Sequence, residues 1–283
     1  MALSTVNPTP LVGAEIKIDQ ASLLSGRHAA EIRDLLELRG VVFVRGMDFS
    51  DDDLHTLAAT LGKIRLDGKD GVKKESLMKV TFDKEHSHLT EYFLGTFTWH
   101  FDGFWEDLPP RASVLTPRVL APTGGETEFI NTYAAYEALP QEKKDLFDGL
   151  MTAHTMFRTH SRVYPNPTRE QLEDWRGYGE KIHPLVWHHL SGRNSIALSS
   201  STDFVVGMDR AESDALLEWL SDWCEQPRFV YRHEWRMGDV LIWDNTGTMH
   251  RAAPYDMECG RRLHRVTLVG EEQLTPVRPK APA

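Results

Sequence analysis

The chain has 283 residues, of which 41% are hydrophobic and 26% charged, and its formal net charge is −10. The negative balance argues against a nucleic-acid partner, because phosphate binding requires a basic face. No apolar run approaches the roughly 18 residues that span a bilayer, and the N-terminus lacks the basic and apolar regions of a signal peptide. We therefore expect a cytoplasmic protein without membrane contact. The two cysteines, Cys224 and Cys259, are far apart, so we expect reduced thiols.

The first third of the chain alternates between strand and helix patterns. Apolar alternation predicts strands over residues 14–18 and 41–46. Between them an amphipathic helix is expected over residues 27–40, with Gly40 at its C-terminal end. Ser50, followed by three aspartates, predicts the N-cap of a further helix that runs through LHTLAATLG.

Two polar segments, residues 64–94 and 157–181, show no sustained period. Only LMKVTF interrupts the first of them as a candidate strand. Long irregular segments inside a compact domain are often functional loops or mobile lids, and a plain solvated loop is the alternative. We therefore predict that both are lid segments.

The rest of the chain is rich in short strands, and helices are expected at about 134–149 and at 211–224. The strand patterns are RASVLTPRVLA, TEFINTY, IALSS, RFVYRHEW, DVLIWDN and RLHRVTLVG. Many short strands with turn signals, and helices gathered on one side, predict a mainly β fold with flanking helices. A β-sandwich or a jelly-roll barrel meets this description.

Two histidines and one carboxylate form the candidate metal site. The pair His100-x-Asp102 is followed 150 residues after His100 by His250. Residues i and i+2 of a strand share a face, so His100 and Asp102 would enter a barrel together. His250 follows DVLIWDN, which places it just beyond a strand end. Such a set leaves metal positions open, as a catalytic Fe(II) site requires and a closed structural zinc site does not.

The metal motif is weak by itself, because composition alone gives about one His-x-Asp in this chain. Arg261 and Arg265 strengthen it, since residues four apart on a strand share a face and would bring two cations into the cavity. A buried guanidinium needs an anion, and its planar fork matches a carboxylate. Thr127, in GGETEF, would add a hydroxyl donor. The alternative for each arginine is a surface or ion-paired position.

Four motifs resemble, in order and spacing, those of the taurine dioxygenase / 2,4-dichlorophenoxyacetate dioxygenase family. They are WHFDGFW, APTGGETEF, WDNTGTMHRAAPYD and RRLHRVTLVG, and the resemblance covers roughly residues 10–275. It implies a double-stranded β-helix, which is a cupin-like jelly roll, and a single catalytic domain over residues 1–283. It also implies Fe(II) and 2-oxoglutarate as cofactors, and relatives of this kind are often dimers or tetramers.

The resemblance assigns a role to each matching residue. The residues that match the iron ligands are His100, Asp102 and His250. Thr127 and Arg261 resemble the pair that holds the distal carboxylate of 2-oxoglutarate. Arg265 matches an arginine near the inner carboxylate, which in some members also binds the anionic group of the substrate.

The implied reaction is hydroxylation of a small anionic, partly hydrophobic substrate by O₂, or oxidative cleavage after hydroxylation, with release of succinate and CO₂. The retained carboxylate of Asp102 argues against a halogenating relative. Strand parity predicts that Thr96 and Thr98 face the pocket, and Phe104 as well if the strand continues.

Further candidates for substrate contact are Arg265 and two histidines, His86 and His88, in the first lid segment. Surface positions are the alternative for these histidines, and a core position is the alternative for Phe104. In the taurine-cleaving branch an amide-bearing residue lies four before the first histidine, whereas this chain has Thr96. A substrate other than taurine is therefore expected.

Two other functions fit the same ligands. One is a zinc-dependent hydrolase, which would need a general base beside the metal, and the sequence shows neither HExxH nor a carboxylate pair. The other is a binding protein that keeps the fold and has lost the chemistry, against which the intact ligands and both arginines argue.

Overall fold

Fifteen strands and eight α-helices lie within the residues that the computed structural model describes, which are 3–66, 75–87, 93–164 and 166–274. The strands are β1 (Ser4–Val6), β2 (Ala14–Lys17), β3 (Val41–Val44), β4 (Leu77–Val80), β5 (Ala112–Val119), β6 (Thr127–Asn131), β7 (Met151–Thr155), β8 (Glu180–Pro184), β9 (Val186–His188), β10 (Asn194–Ile196), β11 (Thr202–Val205), β12 (Val230–His233), β13 (Val240–Asp244), β14 (Thr248–Ala252) and β15 (Arg262–Thr267). The helices are α1 (Gln20–Leu24), α2 (Ala29–Arg39), α3 (Asp51–Leu61), α4 (Thr132–Glu137), α5 (Gln141–Phe147), α6 (Met156–Ser161), α7 (Arg169–Gly177) and α8 (Arg210–Cys224). Short 3₁₀ helices lie at Leu94–Phe97 and Pro227–Phe229. The predicted mainly β class with flanking helices is confirmed, and no helix in these ranges is both long and apolar enough to cross a bilayer.

Four sheets lie among the described residues, and two of them form the layers around the central core; the other two are β11-β7-β8 and β10-β9. The larger has seven strands in the order β1-β2-β3-β13-β5-β15-β4, with β2 and β3 parallel and the other neighbours antiparallel. The smaller is antiparallel, in the order β12-β6-β14. Phe43 of the larger sheet stacks on Tyr231 of the smaller, with ring centroids 5.8 Å apart. The two sheets therefore face each other, as in a jelly roll.

Alternate residues of β13 serve two different cores. Val240 and Ile242 pack with the buried side chains of α1, α2 and α3. Leu241 and Trp243 point the other way and pack with Phe129 of the smaller sheet. Side chains of a strand alternate between its faces, and both faces of this strand are covered. This explains why the strand is a continuous apolar run.

The predicted helix ends in the first third of the chain are confirmed. Ser50 Oγ accepts a hydrogen bond from the Asp53 N–H at 3.1 Å, and Asp53 Oδ2 accepts from the Ser50 N–H at 3.0 Å. This reciprocal capping box begins α3. Gly40 ends α2, and its N–H donates to the Leu36 carbonyl at 2.7 Å.

Two predictions about helical segments were wrong, and of the strand predicted over IALSS only Ile196, the last residue of β10, lies in a strand. The single helix expected at 134–149 is divided into α4 and α5, with Pro140 at the N-cap of the second. The segment 157–181, predicted to be irregular, contains α6 and α7 and enters β8. Helices of six and nine residues are too short for an apolar period to stand out in the sequence.

Candidate active site

A cavity of about 260 Å³ lies between the two facing sheets. The larger sheet contributes Leu115, Trp243 and Arg265 to its wall, and the smaller contributes Thr127 and His250. All six residues predicted to bind metal or 2-oxoglutarate line this cavity. The fold thus brings together side chains that are up to 165 positions apart in the chain.

The two predicted metal-binding histidines are paired through their backbones. His100 N–H donates to the His250 carbonyl at 3.1 Å, and His250 N–H donates to the His100 carbonyl at 2.9 Å. Their ring centroids are 4.2 Å apart. His100 Nδ1–H donates to the Thr98 carbonyl at 2.8 Å, so in the neutral ring the lone pair is on Nε2.

Asp102 completes the cluster. Its carboxylate oxygens lie 4.0 Å from His100 Nε2 and 3.9 Å from His250 Nε2. The three ligand atoms of the cluster lie within 4.8 Å of one another. Such a spacing leaves room for one cation between two ring nitrogens and one oxygen.

The protonation states suit a metal site. Burial lowers the pKa of His100, and burial together with the neighbouring His100 ring lowers the pKa of His250 to about 3. Burial raises the pKa of Asp102, but Arg265 and the two imidazoles outweigh it and lower this pKa to about 2. At neutral pH the cluster therefore presents two neutral imidazoles and one carboxylate, which are the forms that bind a cation.

The strand that was expected to carry the first two ligands is not continuous. Residues Leu94–Phe97 form a 3₁₀ helix, His100 forms an isolated bridge, and Asp102 begins a turn. His250, expected just beyond a strand end, lies inside β14. The ligands meet because the backbone of His100 pairs with His250 of the smaller sheet and the Asn245 side chain holds the backbone of Asp102, which strand parity cannot reveal.

Arg261 is buried against the cavity wall. Its Nη2 donates to the Gly125 carbonyl at 2.7 Å, and its guanidinium carbon lies 4.6 Å from the centroid of the Tyr255 ring. Its Nε–H has no acceptor among the residues that the structure describes. Thr127 lines the same cavity, two residues after Gly125, and its Oγ1 accepts from Trp235 Nε1–H at 2.9 Å.

The predicted substrate residues are placed differently from one another. Thr96 and Phe104 line the cavity, although Thr96 Oγ1 donates to the Phe93 carbonyl at 2.6 Å. Thr98 is not among the described lining residues, and its Oγ1 donates to the Gly95 carbonyl at 2.7 Å. His86 is part-exposed, 2.8 Å from Asp83 Oδ2 and away from the described cavity wall. His88 lies outside the described residues.

Sequence reasoning did not find three side chains that hold the site. Trp235 orients Thr127, Met78 Sδ accepts from Arg265 Nη2 at 3.0 Å, and Asn245 bonds to the backbone of Asp102. Asn245 stood in the quoted motif WDN, where it was interpreted only as the end of a strand. The other two carry no local signal, because their partners are more than 100 positions away.

Comparison with known proteins gives consistent matches along the chain. The model of the Taurine catabolism dioxygenase TauD, TfdA family matches residues 5–267. An alpha-ketoglutarate-dependent 2,4-dichlorophenoxyacetate dioxygenase of Cupriavidus pinatubonensis is 30% identical over 278 residues, or 93% of this chain and 96% of that protein. An alpha-ketoglutarate-dependent sulfate ester dioxygenase of Pseudomonas putida is 28% identical over 284 residues, or 92% and 87%.

Solved structures agree with the predicted jelly roll. The crystal structure of AAD-2 in complex with Mn(II) and N-oxalylglycine matches with a TM-score of 0.80 at 28% identity, covering 97% of this chain and 100% of that chain. A taurine dioxygenase from Burkholderia xenovorans matches with a TM-score of 0.71 at 28% identity, covering 96% and 90%. The predicted double-stranded β-helix is confirmed.

Proposed function

Because this chain belongs to the TauD/TfdA family, whose model it matches over residues 5–267, we propose that it oxidises a small molecule with an anionic group on an apolar body. The chain is an Fe(II)- and 2-oxoglutarate-dependent dioxygenase, as are relatives 29% and 30% identical over 90% and 93% of its length. Its co-reactants are O₂ and a small-molecule substrate. Family membership and the His-Asp-His cluster set aside the zinc hydrolase and the non-catalytic binding protein.

The convergence of a carboxylate, two neutral imidazoles and two guanidinium groups in one cavity is the observation that carries the proposal. In this assignment His100, Asp102 and His250 bind Fe(II). Two nitrogen ligands and one oxygen ligand suit this ion, and three ligands leave positions for a chelating cosubstrate and for O₂. The single negative charge of Asp102 offsets part of the charge of the metal.

Arg261 and Thr127 are assigned to the distal carboxylate of 2-oxoglutarate. The Nε–H of Arg261 is a buried donor without an acceptor among the described residues, and a buried donor of this kind calls for a partner. A carboxylate supplies one and also balances the buried positive charge. Arg265 already contacts Asp102, and we assign it to the inner end of the cosubstrate, beside the metal.

When bound, Fe(II) with 2-oxoglutarate would supply activation of O₂ for oxidation of a substrate C–H bond, with release of succinate and CO₂. The chain supplies the conditions for this chemistry. Arg265 keeps Asp102 ionised, and Arg261 orients the cosubstrate from the opposite end. Phe82, Phe93 and Phe104 line the cavity and exclude water from the reacting groups.

The walls of the cavity support an apolar substrate body. Its volume of about 260 Å³ suits a small molecule, and aromatic side chains together with Met156 cover much of the surface. By their names, two relatives act on 2,4-dichlorophenoxyacetate and on a sulfate ester. Each of these molecules has one anionic group and a larger organic body, which is the combination proposed for this chain.

One observation supports the assignment of the segment 157–181 as a lid. Thr159 and His160 of α6 line the cavity, so a movement of this helix would change access to it. We propose residues 64–94 and 157–181 as lid segments of a single domain, although residues 67–74, 88–92 and 165 lie outside the described residues.

Two measurements test the proposed function. Anaerobic Fe(II) with 2-oxoglutarate is expected to give the visible charge-transfer band of a chelated keto acid in the parent and in His188→Ala, a buried histidine bonded to Asn194 and Asp148. The band is expected to be absent in a folded His100→Ala variant. A parent protein without the band would contradict the ligand assignment.

Succinate release then tests the substrate class. The panel compares the contribution of the anionic group with that of the apolar body. It consists of an aryloxyacetate, an alkyl sulfate ester, taurine and an uncharged aryl ether. The two anions with apolar bodies are expected to stimulate succinate release most. Stronger stimulation by taurine or by the uncharged ether would contradict the proposed substrate class.

A further inference from the structure

Asp102 is held in a way that its position in the chain does not explain. The backbone of His100 is paired with β14, but two residues later Asp102 begins a turn and pairs with no strand in the described part of the chain. The carboxylate must nevertheless stay within about 4 Å of both imidazole nitrogens. Some other group has to fix the backbone at this point.

The side chain of Asn245 supplies that group. Its Oδ1 accepts from the Asp102 N–H at 2.9 Å, and its Nδ2 donates to the Asp102 carbonyl at 2.9 Å. The second Nδ2 hydrogen donates to the Pro110 carbonyl at 3.1 Å. The orientation of the amide follows from its partners, because only the oxygen accepts from an N–H and only the nitrogen donates to carbonyls. We infer that Asn245 is a positioning residue that fixes Asp102 for metal binding; this inference rests on the metal ligands assigned under the proposed function.

Asn245 is itself held in a fixed position. It is fully buried, it directly follows β13, and its own N–H donates to the Arg111 carbonyl at 2.8 Å. It lies five positions before His250. One short segment therefore holds both ends of the ligand pair, through a carboxamide at Asp102 and through the backbone at His100.

The turn after Asp102 depends on the same amide. Gly103 has φ +67°, and a Cβ at this position would lie 2.4 Å from Pro110 Cδ. Pro110, the second carbonyl partner of Asn245, therefore packs directly on the turn. Because Asn245 ties the two ends of this loop together, its removal frees the Asp102 backbone to move away from the histidines.

A metal site is sensitive to displacements of this size. Productive ligand geometry has to be held to about 0.5 Å, and loss of a group that orients a ligand typically reduces metal affinity about 10–100-fold. The effect expected for Asn245 belongs to this class, since it contacts the ligand residue and not the metal.

The test is a calorimetric titration of the metal-free protein with Mn(II) alone, which measures the affinity for Mn(II). Asn245→Asp keeps the shape and one acceptor but cannot donate to either carbonyl, and it is expected to weaken Mn(II) binding about 10–100-fold. Asn245→Ala serves if the charged variant does not fold. Asn131→Asp is the control, because Asn131 is equally buried and bonds to the Leu11 and Leu38 carbonyls away from the metal cluster.

A second background separates positioning from general stability. In Asp102→Ala, which retains the two histidines, Asn245→Ala is expected to cause little further loss of Mn(II) affinity. An equal loss in both backgrounds, or unchanged affinity of folded Asn245→Asp, overturns the inference while the proposed function stands. Failure of the parent itself to bind Mn(II) overturns the proposed ligands instead.

Discussion

Arg265 Nη1 donates to both carboxylate oxygens of Asp102, at 3.2 and 3.1 Å. Both side chains are largely buried, so their charges are poorly screened by solvent. Burial acts to raise the pKa of Asp102, and Arg265 is the largest of the opposing influences that lower it to about 2. One arginine thus keeps the only carboxylate of the proposed metal site in its ionised form.

Replacement of Arg265 by Met is expected to raise the pKa of Asp102. Burial favours the neutral carboxyl, and the variant lacks the positive charge that stabilises the carboxylate. In the parent, the lowered pKa of about 2 gives stability that is complete above the unfolded pKa of about 3.9 and is lost as the pH falls through the folded pKa. In the variant the folded carboxyl holds its proton more tightly than the unfolded one, so its contribution falls as the pH rises. The difference in melting temperature between the metal-free proteins is therefore expected to be larger at pH 7 than at pH 4.

Circular-dichroism melts at both pH values check this prediction. Arg169→Met is the control, since Arg169 pairs with Glu173 on the surface with 92% of its side chain exposed. That variant is expected to show the same small difference at both pH values. A difference for the Arg265 variant that is constant or larger at pH 4 would show that Arg265 does not set the pKa of Asp102.

Arg261→Met is expected to raise the KM for 2-oxoglutarate about 10–100-fold, which corresponds to the roughly 1.5–3 kcal/mol of a hydrogen bond to a charged group. Mn(II) affinity without cosubstrate is expected to stay the same. Arg262→Met is the matched control, because Arg262 is the next residue and is not among the described lining residues. Steady-state succinate assays measure both variants, and an equal rise in KM would refute the role of Arg261.

Gly125→Ala tests the space beside Arg261. A Cβ at this position would lie 2.8 Å from Arg261 Nε, and the backbone has φ +74°. We expect a loss of stability of about 1–2 kcal/mol from the backbone alone, together with a raised KM for 2-oxoglutarate from displacement of the guanidinium. Gly207→Ala separates the two effects, because Gly207 has φ +78° and no atom of the described residues lies within 4 Å of the added Cβ. Only the first variant is expected to change the KM, and a similar change in both would contradict the steric account.

Phe104→Ala is expected to lower kcat/KM for a substrate with an apolar body and to destabilise the protein by about 3 kcal/mol. The Phe104 ring packs edge-on against both His154 and His183, at centroid distances of 5.1 and 5.4 Å, and it forms part of the cavity wall. Phe147→Ala is the control, since Phe147 is buried in the same core cluster but is not among the described lining residues. Urea denaturation is expected to show a similar loss in both variants. If kcat/KM falls equally in both, the catalytic effect comes from lost stability.

The sequence predicted the residues whose chemistry is unusual for their surroundings. Arg261 and Arg265 in an apolar strand pattern, and His100 two residues from Asp102, pointed to a charged cavity because buried charges need partners. Contacts between side chain and backbone were out of reach, as Asn245 shows, since its bond to Asp102 joins residues 143 positions apart. Such a contact leaves no period and no local motif.

For the secondary structure too, local patterns were predicted correctly and features that depend on distant contacts were not. The apolar run of β13 and the capping residue Ser50 are local patterns, and both predicted their elements correctly. Thr98 was expected on the cavity wall because parity assumed a continuous strand, but a 3₁₀ helix at Leu94–Phe97 changes the direction of the preceding chain. Parity holds only where the backbone stays extended.

The backbone pair between His100 and His250 also bears on when the protein acquires its metal. These residues are 150 positions apart, and contacts of such sequence separation are slow to form because closing the long loop between them costs entropy. A chain still emerging from the ribosome carries two of the three ligands and no partner to align them. We therefore expect the three proposed ligands to form a metal-binding cluster only once the chain from His100 to His250 has folded.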